Sequence, residues 1–205
     1  GPNSRTILNS MASDSLNSLK FFWMMDTTFG DIPVSISRTG YTGDLGYEIW
    51  MNPDDALAVW DLLLEKGKQY GITPTGLHAL DMARIEAGLI LLDVDYISAR
   101  HAIIEPRKSS PYELGLGWAV KMKKKDFIGK QALQTELARG PEWLFVGIEI
   151  HWAELEDHYR KVGLAPGLPA TAWRTSTPIY NGNDQVGYAT SGTWSPILKR
   201  YLALA

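Results

Sequence analysis

The stretch SRTGYTGDLGYEIW, residues 37–50, decides how the rest of the chain is read. It sets Gly40, Gly43 and Gly46 at every third residue of a polar run between two apolar segments. Upstream, IPVSIS (32–37) has the composition of a short strand, and downstream YEIWM (47–51) has that of another. The glycines between them permit positive φ and close backbone approach. Their spacing is not the dinucleotide fingerprint, and no lysine follows to make a phosphate loop. Past Gly46, two-residue alternation puts Glu48 and Trp50 on one strand face and Tyr47, Ile49 and Met51 on the other. Glu48 then has two readings. It is a solvated acid on a sheet face, or an acceptor for two adjacent N–H donors of a flat heterocycle, held by charge-assisted hydrogen bonds.

Working outward, Asn52-Pro53-Asp54-Asp55 is a helix start: Asn52 caps, Pro53 fits the first position, and two acids sit at the positive end of the dipole. Leu57, Trp60, Leu63 and Leu64 form the expected apolar stripe, and Gly67 or Gly71 ends the helix. A second helix follows GITPTG, with Gly88 as its stop. On it, Arg84 is expected to pair with an acid at helical spacing rather than to face a ligand. Residues 89–116 read as irregular, marked by Pro106, Ser109, Ser110 and Pro111. A third helix is expected from Asp126, as cap, to Gly140. Beyond it LFVGIEI (144–150) reads as a strand, and TPIYNGNDQVGYAT (177–190) as a hairpin turning at Asn181-Gly182. The texture is therefore α+β: an α+β part over 1–112, a connector with one helix over 113–140, and a small all-β part over 141–205.

Composition removes several function classes. The 205 residues carry a net charge of −3, with 45% apolar and 21% charged residues. That balance gives no electrostatic reason to expect nucleic acid or an anionic membrane surface. No apolar run approaches the ~20 residues of a membrane span. With no cysteine there is neither a disulfide nor a thiolate metal site, and a reducing, cytoplasmic setting is the default expectation. His78, His101, His151 and His158 show no ligand spacing, and no HExxH occurs, so no metal site is assigned. Asp93 and Asp95 form a pair that reads as solvated acids or, less simply, as metal ligands. No GxSxG elbow is present. Eight tryptophans and nine tyrosines, several beside glycine-rich segments, suit a flat heteroaromatic ligand as well as a core.

Five segments in order, GPNSR, SRTGYTGDLGYEI, GLHALDMARIEAG, LGLGWAVKMKKKDFIGKQAL and VGYATSGTWSPILKR, together resemble the glycine cleavage T-protein (aminomethyltransferase) family. The resemblance implies a partial folate-binding α+β (ferredoxin-like) domain followed by a small, incomplete β-barrel. It implies tetrahydrofolate as cofactor, with Glu48 on the pterin ring, Tyr41 lining the pocket and Arg84 of the RIEAG motif as the third cofactor-binding candidate, the alternative to its ion pair. The implied chemistry is transfer of a one-carbon unit from a small amine, thioether or methoxyl donor to folate. A lipoyl carrier protein is the implied partner, and the alternative is a folate-binding module with an assembly or regulatory role. The family's own sequences carry a longer N-terminal part, which supplies an aspartate near the folate nitrogens, so no catalytic residue is assigned here. The family's GLGARD reads GLHALD, placing Leu80 where amine-transferring members have a folate-contacting arginine. Residues 152–173 resemble an insertion into the barrel.

Overall fold

A computed structural model describes residues 1–205. The chain divides into two compact units, Gly1–Leu89 and Ile90–Ala205. No helix in either is long and apolar enough to cross a membrane.

The first unit is built on an antiparallel three-stranded sheet, in the order β1 (Met24–Phe29), β2 (Ile32–Ser37), β3 (Glu48–Met51). Its register pairs Val34 with Met51, Ile36 with Ile49 and Ser37 with Glu48. Strand alternation then sorts the two faces. Phe29, Val34 and Ile36, with Ile49 and Met51, join Ile7 and Leu8 of α1 (Ser4–Asn9) and Val59 of α2 (Ala56–Gly67) in one apolar cluster. Each of its fully buried side chains contributes about 1.5–3 kcal/mol, and the half-buried Ile49 and Met51 less. The other face keeps Ser35, Glu48 and Trp50 at the surface or half-buried.

In this unit the two helix ends expected at glycines form Schellman motifs. After α2 and the 3-10 turn that continues it (Lys68–Tyr70), Gly71 takes φ +71°, and Ile72 N–H donates to Gly67 O at 3.1 Å. Ile72 folds back over Gly67, where a Cβ would stand 2.6 Å from Cγ2. After α3 (Leu77–Glu86), Gly88 takes φ +68° and Leu89 N–H donates to Arg84 O at 2.8 Å. Asn52 caps as expected, accepting from Asp54 N–H at 3.2 Å. The expected stripe on α2 needs correction. Val59 is the buried position, with Leu62, Leu63 and Leu64 half-buried, whereas Leu57 and Trp60 are 71% and 49% exposed.

In the second unit the third helix, α4 (Lys130–Arg139), is capped at Gly129, three residues later than expected. Gly129 has φ +87°, and no right-handed helix runs through that conformation, so Asp126 is not its cap. The strand β4 spans only Gly147–Glu149, although its pairing is extended by mutual bonds between Val146 and Ala205 at 2.8 and 2.9 Å. Residues 152–161, inside the stretch resembling an insertion, form helix α5 (Trp152–Lys161). The hairpin is β5 (Thr177–Asn181) and β6 (Asp184–Ala189), with Gly182 at φ +63° in the turn. β7 (Ser191–Ser195) and β8 (Arg200–Leu204) complete a sheet of order β4-β8-β7, and the two sheets do not close into a barrel.

Asp95 is buried, not solvated, and is no half of a metal pair. Its Oδ1 accepts from Ser191 Oγ at 2.7 Å and from Thr190 Oγ1, while Oδ2 accepts from Leu91 N–H at 2.8 Å. Asp93 is at the surface with φ +62°. The SGTWSP segment owes its glycine to Trp173. That residue exchanges backbone bonds of 2.9 and 3.1 Å with Gly192 and lays its indole against it. Its Nε1–H donates to Tyr201 Oη at 2.8 Å. Burial pushes the Tyr201 phenol up from its usual range, and the hydrogen bond from Trp173 works the other way. A Cβ on Gly192 would lie 2.4 Å from Trp173 Cζ2, so Gly192→Ala is expected to destabilise this unit by about 1–3 kcal/mol, as overpacked cores do. Chemical denaturation followed by tryptophan fluorescence measures it; an unchanged midpoint would contradict the packing described.

Candidate functional site

The pairing of Ser37 with Glu48 brings the two ends of the glycine-rich loop together on the sheet face away from the core. There Thr39 Oγ1 donates to Glu48 Oε2 at 2.6 Å, Ser37 Oγ lies 3.4 Å from the same oxygen, and the two hydroxyls are 2.7 Å apart. A hydroxyl has one proton to give. Thr39 gives its proton to the carboxylate, so Ser37 donates to Thr39, or more weakly to Glu48. Both hydroxyls converge on Oε2 of an exposed side chain, and neither touches Oε1. On the opposite side of the strand, Arg5 of GPNSR donates from Nε to Tyr47 Oη at 2.8 Å. Two of the sequence segments that carry the resemblance thus meet at the start of β3.

Beside this arrangement the loop backbone borders a cavity of about 290 Å³, lined by Arg38, Thr39, Gly40, Gly43, Asp44 and Gly46 with Phe21, Leu45 and Leu89. The three glycines are not equivalent. Gly43 takes φ +79°, and a Cβ there would stand 2.8 Å from the Ala87 Cβ. A Cβ on Gly40 or Gly46 would meet its nearest atom at 3.6 or 3.7 Å, an ordinary contact. Only Gly43 is therefore demanded by both conformation and space.

Phe21, which sequence reasoning missed, enters the cavity from KFFWM (20–24). Its ring lies 4.1 Å from that of Phe22, which adopts φ 64°, an outlier for a bulky residue. The segment is held there by Phe22 N–H to Arg38 O at 3.1 Å and Arg38 N–H to Trp23 O at 2.9 Å. Arg38 Nη1 adds a bond to Leu19 O at 3.1 Å. Thr39 was also missed, since a hydroxyl nine residues from its carboxylate is found only through the strand register.

Of the residues the sequence singled out, Glu48 reaches the cavity wall through Thr39, while Tyr41 and Arg84 do not line it. Tyr41 is half-buried within the loop. Arg84 is fully buried on α3, with Nε donating to Asp81 Oδ1 at 2.8 Å and Nη1 3.4 Å from Leu89 O. That is the helix-spaced ion pair expected from the sequence. Leu80, on the same helix, is half-buried.

Residues 1–124 match the sequence profile described as the GCVT N-terminal domain, and residues 160–205 match the glycine cleavage T-protein C-terminal barrel domain. The chain belongs to the glycine cleavage T-protein family. It is 38% identical over 204 residues to an aminomethyltransferase of Halothermothrix orenii, and 38% identical over 207 residues to one of Alkaliphilus metalliredigens. These matches cover the whole of this chain but 50% and 49% of the relatives, so the chain spans about half their length. The crystal structure of the glycine cleavage system aminomethyltransferase T from Bartonella henselae superposes with a TM-score of 0.72 at 25% identity. It covers 98% of this chain, which spans 47% of that protein.

Within this T-protein scaffold, Gly43→Ala is expected to cost about 1–3 kcal/mol through left-handed strain and the Ala87 collision, whereas Gly40→Ala stays within about 0.5 kcal/mol. Thermal or urea unfolding of the two variants side by side checks the contrast. Equal effects would mean that the loop does not hold the conformation described.

Proposed function

We propose that the protein containing this chain binds tetrahydrofolate at the glycine-rich loop and transfers a one-carbon unit to it from a small donor. One observation carries the reading: Glu48 is exposed and tied by its Oε2 to Thr39, a residue of the glycine-rich cavity wall. A pterin edge presents an amino group and a ring N–H side by side, and a carboxylate has the two oxygens to accept both. Family membership and relatives named aminomethyltransferase support the same reading. When bound, the folate would supply a nucleophilic ring nitrogen to take the one-carbon unit as the donor's amine, thiol or alkoxide leaves.

The residues of this chain bind and orient. Glu48 fixes the heterocycle edge, the bare backbone at Gly40 and Gly46 admits a flat ring closely, and Phe21 supplies an apolar wall. Tyr41 shapes the loop from within. Arg84 serves the scaffold through Asp81, and Ala87, just past α3, lies against Gly43. Holding reactants in register contributes most of the acceleration in such a site.

Leu80 sets the limit on the donor. A contact from an arginine to a charged group is worth about 1.5–3 kcal/mol, or roughly 10- to 150-fold in affinity. An apolar residue in that place favours a different folate pose or a less polar donor, among small amines, thioethers and methoxyl compounds; a lipoyl carrier protein is the partner that family membership suggests. Calorimetry on the full-length protein tests the proposal. Tetrahydrofolate is expected to bind in the micromolar range and at least about tenfold more weakly to Glu48→Ala. Absence of binding to the folded wild type would sink the proposal.

A further inference from the structure

We infer that Thr39, backed by Ser37, is a positioning residue that fixes the rotation of the Glu48 carboxylate and so sets the angle at which the site accepts a heterocycle's paired N–H donors; this rests on the folate reading above. The terminal torsion of a glutamate is broad and roughly two-fold, so an exposed carboxylate left to itself turns through a wide range. Here the 2.6 Å contact from Thr39 Oγ1 to Oε2 has the length of a charge-assisted O–H···O⁻ bond, and it removes that freedom on one side only. Ser37 is buried and sits 2.7 Å from the Thr39 hydroxyl, so it holds the donor in turn. Hydration alone would satisfy an exposed glutamate. A two-hydroxyl chain ending on one of its oxygens does something water does not, which is to choose the oxygen.

The chain is also specific in place. Ser37 pairs with Glu48 across β2 and β3, and Thr39 lies two residues further along, at the point where the strand turns into the cavity wall. One side chain thus borders the cavity and anchors the carboxylate. Pre-organising an acceptor in its bound orientation lowers the ordering cost of binding without adding a contact. The consequence is specificity. A ligand with two adjacent N–H donors gains from the fixed angle, and one with a single donor gains little.

The test is a binding cycle in the full-length protein, using tetrahydrofolate and calorimetry. Thr39→Val keeps the shape and removes the hydroxyl. It is expected to weaken binding about three- to tenfold, and Thr39→Ser to restore it. In a Glu48→Ala background Thr39→Val is expected to change nothing further, which a merely structural loss would not reproduce. Wild-type binding with Thr39→Val unchanged, or equally weakened in both backgrounds, overturns the inference and leaves the folate reading standing. If the wild type binds no folate, the folate reading fails, and the crystal structure of Thr39→Val decides the anchoring: a Glu48 carboxylate in an unchanged, single orientation overturns it, and a disordered one upholds it.

Discussion

The antiparallel register of β2 on β3 is the constraint on which the rest depends. A sheet has a side-chain period of two, so a slip of one residue would exchange its faces. In the observed register Val34, Ile36, Ile49 and Met51 face the helices, and Ser37, Glu48 and Trp50 face away. Burial of the first set leaves no freedom in where the second set goes. The carboxylate beside the glycine loop is thus a by-product of the core. The site inherits the rigidity of the sheet and needs only local hydroxyls to refine it.

Charges and hydroxyls in the interior serve a second purpose. Arg84 and Asp81 are 0% and 5% exposed and close on each other within one helix. In the second unit, Asp95 takes two hydroxyls and an amide and ties residues 91–95 to β7. A buried carboxylate without such donors would be costly; with them it fixes one arrangement of otherwise irregular chain. The same logic explains why an acid pair that looks like a metal site in one dimension is a structural node in three.

Much of this was legible in the sequence, and the reasons are local. Strands at 32–37 and 47–51 announce themselves by alternation, the hairpin by Asn181-Gly182, and the ends of α2 and α3 by Gly71 and Gly88. The family was legible from five short segments taken in order. What escaped was either too short, too polar or dependent on register. The six residues of α1 cannot display a helical period. β1 carries methionine on both faces, so its alternation is blurred. α5 is rich in charge, and its apolar positions, Trp152, Leu155 and Tyr159, make only a short stripe. Thr39 and Phe21 acquire roles only once the sheet brings residue 39 to residue 48 and Phe22 turns through a left-handed conformation.

The most direct test of the central claim is hydrogen exchange of the full-length protein with and without tetrahydrofolate. The account predicts added protection concentrated in residues 38–48, with the amides of Gly40, Gly43 and Thr39 among those slowed. Protection confined to other segments, or no change at saturating ligand, would contradict it.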